Sequence, residues 1–190
     1  MIIIKNNKEI DLMRSAGKIV AETLLLIEEK VRPGITTAEL DSIAEEFITK
    51  HGARPSFKGL YGFPASLCIS VNEQVVHGIP GGYVLKDGDI VSVDCGANIN
   101  GFHGDAARTF GVGNITKEAE KLINVTRESF FKGIEYAKVG NRLTDISHEI
   151  QNCVEAAGFS VVRDFVGHGI GRVVHEDPDI PNYGPPGRGP

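Results

Sequence analysis

An internal repeat of helix and turn signals limits the fold of this sequence more than any other feature. Gly34 and Gly52 are as far apart as Gly140 and Gly158, and the second pair follows the first by 106 positions. Both pairs stand in the same order of signals: a long helix, a glycine turn, a shorter helix, a glycine and a strand. Two copies of one α/β unit are therefore predicted, at about residues 8–112 and 114–190, within a single domain that spans 1–190.

The first copy carries specific start and stop signals. Apolar residues at helical spacing predict a helix over residues 8–31, with Asn7 as its N-cap. Thr36 and Glu39 have the spacing of a capping box, which predicts a second helix that Gly52 ends. Three short strands are predicted between the turn signals that follow: Leu67–Val71, Ile90–Cys95 and Gly101–Phe110.

The second copy leads to an expectation about the end of the sequence. At an offset of 106 positions, the counterparts of the last two strands would fall near 196–201 and 207–216, whereas the sequence stops at Pro190. We therefore expect a truncated second copy that lacks its last strands and can associate through the strand edge left exposed. The alternative is that residues 185–190, which are rich in glycine and proline, form a natural tail.

Composition and charge argue against several functional classes. The chain has 190 residues, of which 41% are hydrophobic and 24% charged, so it can bury one substantial core. Its net charge of −5 and the lack of a basic stripe argue against specific nucleic-acid binding. The longest apolar run near the start, residues 24–27, is too short to cross a membrane, and the first residues do not resemble a signal peptide. Three cysteines with no CxxC pair favour a reducing cytoplasm.

Two aspartates on adjoining predicted strands form the first candidate chemical site. Asp94 ends the buried run of residues 90–93, and Asp105 follows eleven positions later. If the two carboxylates converge on one side of a hairpin, they need positive charge between them. Oxygen donors together with one imidazole suit manganese, iron, cobalt or zinc. The alternative is a solvated aspartate in a turn and a surface pair of Asp105 with Arg108.

Three histidines stand in glycine-rich or turn-forming surroundings. His168 is flanked by glycines on both sides, which let the backbone approach another group closely. His175 comes seven positions later, which would place it on the opposite face of an unbroken strand, but a turn at the glycines leaves that facing open. His77 precedes a glycine and a proline that favour a turn. From the residues alone, His77 and His175 are more simply explained as ordinary polar or structural side chains.

Three segments of the sequence resemble type I methionine aminopeptidases in order and spacing. Residues 165–183, FVGHGIGRVVHEDPDIPNY, are similar to the family signature, and residues 72–80, NEQVVHGIP, and 93–105, VDCGANINGFHGD, are similar to two further family segments. The resemblance covers essentially the whole chain, although paired aspartates also occur in the wider creatinase and aminopeptidase P group. It implies the α+β pita-bread fold, with two pseudo-symmetric halves around a dinuclear metal centre, here with a second half that lacks its last strands.

The resemblance also implies a role for each candidate ligand. Asp94 would bind one metal ion in bidentate fashion, Asp105 would bridge both ions, and His168 would bind the second ion. The two ions would be divalent cobalt, manganese, iron or zinc. His77 and His175 would contact the substrate as catalytic residues, with His175 hydrogen-bonding near the scissile amide.

Further positions align with family residues that hold the substrate or a monovalent cation. Those that would line a pocket for the methionine side chain are Phe57, Leu60, Phe63, Cys68 and Val174. Asn72 and Gln74 fall in a segment whose backbone carbonyls would bind sodium or potassium. The implied activity is metal-dependent removal of the N-terminal methionine from nascent proteins and peptides in the cytoplasm. The ribosome is a candidate partner, and the family members are monomers.

One family feature has no match in these 190 residues. The family has two further glutamate ligands in a C-terminal hairpin, and one of them is credited with a general-base role. Because general acid–base catalysis contributes about 10²–10⁴-fold, we expect reduced or no activity for this chain. The alternatives are an inactive pita-bread binding module, or an X-Pro aminopeptidase or creatinase relative. The latter usually carry an extra N-terminal domain, whereas the fold predicted here begins within the first ten residues.

Overall fold

The computed structural model describes residues 1–190, which form two compact units. The larger unit comprises residues 3–116 and 170–175, and the smaller unit comprises residues 1, 2, 117–169 and 176–190. Segment 170–175 therefore packs with the first part of the chain although it comes late in the sequence. No helix in either unit has the length and apolar content that a membrane crossing needs.

The two helices of the larger unit begin at capping boxes. α1 spans Asn7–Lys30, and α2, which spans Thr37–Lys50, begins at the capping box predicted for it. The cap of α1 is Asn6, so the prediction of Asn7 was wrong by one residue. The Asn6 side chain accepts a hydrogen bond from the backbone N–H of Glu9, and the Glu9 carboxylate accepts one from the backbone N–H of Asn6.

An antiparallel sheet forms the centre of the larger unit. Its longest strand is β3, Ile90–Ile99, which pairs along its whole length with β4, Phe102–Gly111. Separate parts of β3 also pair with β2, Leu67–Val71, and with the short β1, Arg54–Pro55. The strand β2 has the predicted bounds.

β3 extends four residues beyond the predicted end at Cys95. Asn100 and Gly101 have φ angles of 53° and 81°, as in the tight two-residue turns that join antiparallel strands, so the pairing continues to the end of the hairpin. Asp94 consequently lies inside β3 and not at its end.

The core of the larger unit lies where α1 and α2 cover one face of the sheet. Val91 and Val93 on β3 are fully buried there. Gly104 on β4 points to the same face, because a Cβ at this position would lie 2.7 Å from the backbone nitrogen of Gly17 in α1. Since side chains alternate along a strand, Asp94 and Asp105 lie on the opposite face of the hairpin.

The smaller unit contains two helices that pack together and a two-stranded antiparallel sheet: α3 (Lys117–Ile134), α4 (Leu143–Ala156), β5 (Gly167–Gly169) and β6 (Glu176–Ile180). Gly133 allows the helices to approach closely, because a Cβ there would lie 2.7 Å from Cγ1 of Ile150. The β5–β6 pairing is irregular between His168 and Gly169.

Candidate functional site

The strand register brings the carboxyl groups of Asp94 and Asp105 together. Asp94 is opposite Ala107 and Asp105 is opposite Gly96, so the two aspartates are diagonal neighbours on the same face of the β3–β4 hairpin. Their side chains are hydrogen-bonded to each other. The structure therefore confirms that the two carboxyl groups converge on one side of the hairpin.

This pair has the electrostatics of a cation site. Burial, followed by the charge of Asp105 and the hydrogen bond to it, raises the pKa of Asp94, although the backbone N–H of Cys95 donates a hydrogen bond that favours the anion. Two carboxylates in a partly buried position repel each other, and a divalent cation would relieve both the repulsion and the desolvation. Their oxygen donors suit a hard or borderline divalent metal ion.

A neutral thiol lies beside the carboxyl pair. Cys68 on β2 is directly opposite Asp94 on β3. Burial, together with the negative charges of Asp94, Asp105 and Asp41, raises the pKa of the Cys68 thiol to about 12. Cys68 therefore stays protonated at neutral pH and presents a small, weakly polar surface next to the carboxylates.

Cys68 also belongs to a small apolar cluster separate from the main core. Phe57, Cys68 and Val174 are buried in this cluster, and Leu60 and Phe63 pack against it. These are the five residues that the sequence resemblance assigned to a methionine pocket, and the structure brings all of them together. Their role in binding a substrate stays a prediction.

A glycine in β3 makes room for the apolar cluster. A Cβ at Gly96 would lie 2.7 Å from Cβ of Ser56 and 2.8 Å from Cε1 of Phe57. The Ser56 backbone N–H donates to the carbonyl of Gly96 at 2.9 Å, which fixes this approach. Gly96 is also opposite Asp105, so the same close contact sets the cluster next to the carboxyl pair.

Segment 170–175 is attached to the larger unit by contacts that sequence reasoning missed. The backbone N–H of His103 donates to the carbonyl of Gly171 at 2.8 Å. Arg172 forms an ion pair with Glu9 at 3.0 Å, and its guanidinium lies 4.5 Å from the centroid of the Phe102 ring. These contacts hold the segment that carries both Val174 and His175.

The His103 side chain connects two other parts of the site. The Asn98 amide nitrogen lies 2.7 Å from Nε2 of His103, and Nδ1 of His103 lies 2.8 Å from Oγ of Ser56. Because an amide nitrogen can only donate, Nε2 accepts and the Nδ1–H donates to the serine. The only sequence signal for His103 was its position two residues before Asp105.

The structure places the predicted substrate histidines in different settings. His175 is exposed and stacks on the ring of Tyr61, with 6.2 Å between ring centroids and 17° between ring planes. His77 is also exposed, and its φ angle of 59° is in the left-handed region. Tyr61 had no sequence signal of its own.

The segment predicted to bind a monovalent cation lines a cavity of about 200 Å³ together with Thr37, Glu73 and Tyr83. The side chain of Asn72 donates to Asp89 at 2.9 Å, and that of Gln74 accepts from the backbone N–H of Val71 at 2.9 Å. Both side chains thus stabilise the loop. The cation-binding role of the backbone carbonyls stays a prediction.

His168 lies on β5 in the smaller unit and is half-buried. Its Nδ1 lies 2.8 Å from the carbonyl oxygen of Gly169. No three His, Cys, Asp or Glu side chains of the structure form a group that could hold a metal ion. The assignment of His168 as a ligand stays a prediction from the sequence signature.

Residues 11–189 match metallopeptidase family M24. The methionine aminopeptidase of Clostridium perfringens is 80% identical over 190 residues, which are 100% of this chain and 76% of that protein. Methionine aminopeptidase 1 of Bacillus subtilis is 58% identical over 190 residues, 77% of its length. The chain thus spans about three quarters of the length of these relatives.

Solved structures extend the comparison to the fold. The methionine aminopeptidase of Thermotoga maritima has a TM-score of 0.98 at 49% identity, over 100% of this chain and 76% of that chain. The prolidase of Pyrococcus furiosus has a TM-score of 0.84 at 24% identity, over 95% of this chain and 52% of that chain, and therefore shares the fold alone. These comparisons confirm the predicted pita-bread fold.

Proposed function

The chain belongs to metallopeptidase family M24, and from this premise we propose that it is an aminopeptidase that removes the N-terminal methionine from nascent proteins and peptides. The observation that carries the proposal is the contact between a carboxyl pair and an apolar cluster in the larger unit. A metallo-aminopeptidase that selects methionine needs both, a metal site for hydrolysis and an apolar pocket for the side chain.

We assign Asp94 and Asp105 as metal ligands, with His168 as a third ligand on the ground of the sequence signature. The raised pKa of Asp94 supports the assignment. It shows that the two carboxylates are unfavourable as a pair of anions, and a bound cation would stabilise both in their charged form. When bound, two divalent ions such as cobalt, manganese, iron or zinc would supply a nucleophile at neutral pH and polarise the scissile carbonyl.

The residues of the chain itself orient the substrate. We assign the apolar cluster to the methionine side chain, with Cys68 as the member that also contacts the carboxyl pair. A flexible thioether fits against aromatic rings and a neutral thiol, whereas a charged side chain would be desolvated there without a partner. His77 and His175, both exposed, are assigned as hydrogen-bonding groups for the peptide backbone.

Two finer assignments complete the proposal. The backbone carbonyls of Asn72 and Gln74 are assigned to a sodium or potassium ion, which the polar cavity beside them can accommodate. Nascent polypeptide N-termini are the proposed substrates, with the ribosome as a candidate partner.

Hydrolysis of matched peptides tests the function. The chain is freed of metal with a chelator, then assayed with Met-Ala-Ser and Lys-Ala-Ser in the presence of manganese or cobalt. We expect release of methionine from the first peptide only, dependent on metal and lost in Asp105→Asn. Equal cleavage of both peptides, or metal-dependent cleavage that survives in Asp105→Asn, would refute the assignment. Peptide binding without hydrolysis would favour the inactive binding module.

A further inference from the structure

The turn that carries part of the apolar cluster holds a tyrosine in a strained backbone conformation. Tyr61 has a φ of 51°, and its neighbours Gly59 and Gly62 have φ angles of 85° and 81°. Glycine adopts such angles freely, whereas tyrosine does so at an energetic cost. Hydrogen bonds between Gly59 and Phe63 and between Phe63 and Leu60 close the turn and keep Tyr61 in this conformation.

The strained backbone directs the Tyr61 ring away from the cluster and towards His175. Tyr61 is 89% exposed, yet its ring is nearly parallel to the imidazole of His175, with 17° between the planes and 6.2 Å between the centroids. This separation is within the range of offset-stacked aromatic pairs.

The position of this stack follows from the chain on both sides. Leu60 packs on the apolar cluster and Tyr61 comes directly after it, while Val174 is buried in the cluster and His175 comes directly after it. Each partner of the stack is therefore the residue that follows a cluster member. The stack lies at the rim of the cluster, where a peptide with its first side chain in the cluster would continue.

Two independent observations argue against a casual surface contact. A solvated tyrosine that contacts nothing would relax to an ordinary backbone conformation. Strained residues of this kind persist where the surrounding structure fixes them, and they cluster at functional sites. The segment of His175 is also fixed on the other side, because Gly171 accepts from His103 and Arg172 pairs with Glu9. The Tyr61 ring, on a turn fixed by hydrogen bonds, thus faces the His175 imidazole, on a segment fixed by its own contacts.

We propose that Tyr61 is a positioning residue for His175, whose imidazole it holds in one plane at the rim of the apolar cluster. The stack itself does not depend on the proposed function, whereas its effect on turnover does, because that effect requires His175 to contact the peptide. Loss of the ring lets the imidazole rotate, so fewer molecules present the correct nitrogen to the scissile amide.

Nuclear magnetic resonance tests the stack without any need for activity. The imidazole Cε1–H resonance of His175 is assigned by its absence in His175→Asn, and is then compared in wild type, Tyr61→Phe and Tyr61→Ala. We expect Tyr61→Phe to keep the ring-current shift and Tyr61→Ala to lose it. Tyr136→Ala, which removes a ring from the smaller unit, should leave the resonance in place. An unchanged His175 resonance in Tyr61→Ala would overturn the proposal.

Steady-state kinetics with Met-Ala-Ser test the expected effect of the stack on turnover. We expect Tyr61→Ala to lower kcat about 2- to 10-fold, the equivalent of one lost aromatic pair, with little change in KM and with rescue in Tyr61→Phe. The melting temperature should stay within about 2 °C, because the side chain is exposed. A ring-current shift lost without any fall in kcat would also overturn the proposal. A wild-type chain that hydrolyses nothing would bear on the proposed function and not on the stack, and the resonance comparison would then decide on Tyr61 alone.

Discussion

Replacing Asp94 by asparagine isolates the energetic cost of the carboxyl pair, because the amide keeps the shape of the side chain and removes its charge. In the metal-free chain, burial and the neighbouring Asp105 raise the pKa of Asp94 from 3.8 to about 8. At pH 7 the folded chain therefore keeps a proton that the unfolded chain releases. Over about three pH units at about 1.4 kcal/mol each, the upper limit of this cost is on the order of 4 kcal/mol.

Because the pair shares its proton between two carboxyl groups, the expected gain is smaller than this limit. We expect Asp94→Asn to raise the free energy of unfolding at pH 7 by about 1–3 kcal/mol in the presence of a chelator. Because the pKa is raised, the contribution of this carboxyl group to the free energy of unfolding also depends on pH. A carboxyl group with a raised pKa stabilises the fold most below its ordinary pKa, and this contribution is lost as the pH rises through the raised value.

Urea denaturation between about pH 5 and pH 8 provides the measurement. We expect the wild-type chain to lose stability across this range relative to Asp94→Asn. With manganese added, the order should reverse. The wild type gains about 4.1 kcal/mol at a thousandfold excess of metal over its Kd, which exceeds the advantage of the variant, and the variant, which lacks one ligand, gains much less.

Asp11→Asn is the matched control, because Asp11 is an exposed carboxylate on α1 paired with Arg14. It should change neither the pH dependence nor the response to manganese. The reasoning is refuted if Asp94→Asn is less stable than wild type at pH 7 with chelator present, or if both proteins show the same pH dependence.

Three further predictions concern the surroundings of the pair. Gly96→Ala should lower the free energy of unfolding by about 1–3 kcal/mol and raise KM for Met-Ala-Ser, because the new Cβ would press on Phe57; unchanged urea denaturation and KM would contradict this. Cys153, which is half-buried, should react with iodoacetamide well before Cys68, whose thiol pKa is raised to about 12; peptide mass spectrometry of the native chain gives the order, and earlier labelling of Cys68 would be the opposite result. Burial disfavours the Asp89 anion, but the hydrogen bonds that it accepts outweigh burial and lower its pKa. Asp89→Ala should therefore lower the free energy of unfolding by about 2–4 kcal/mol at neutral pH, and by less as the pH falls through that lowered pKa. Urea denaturation at two pH values measures this loss, and an equal loss at both would refute the prediction.

Local signals explain which parts of this fold could be predicted. The capping box at Thr36 and Glu39 depends on residues three positions apart, and β2 is bounded by turn signals, so both could be derived from short segments of sequence. The end of β3 was placed too early because the Asn100-Gly101 turn determines how far two strands stay paired. That is a property of the hairpin and not of the strand alone.

The candidate site likewise has parts that could be predicted from the sequence and parts that could not. The carboxyl pair could be anticipated, because eleven positions across a hairpin limit where two side chains can meet. The attachment of segment 170–175 could not, because the hydrogen bond from His103 to Gly171 joins residues far apart in the sequence, and neither residue type has a strong preference for such a partner. The stack of Tyr61 on His175 is hidden for the same reason, since it depends on that attachment.

The register of β3 determines the positions of the site residues. The register that places Asp94 opposite Cys68 also places Gly96 opposite Asp105 and against Phe57. A slip of one residue would exchange the two faces of the strand, so that Asp94 would enter the core between the sheet and α1, and Val93 would replace it beside Asp105. The cost of a buried unpaired carboxylate on the core face excludes this alternative register. A residue that destabilises the metal-free fold in its native position therefore also specifies the pairing that builds the site.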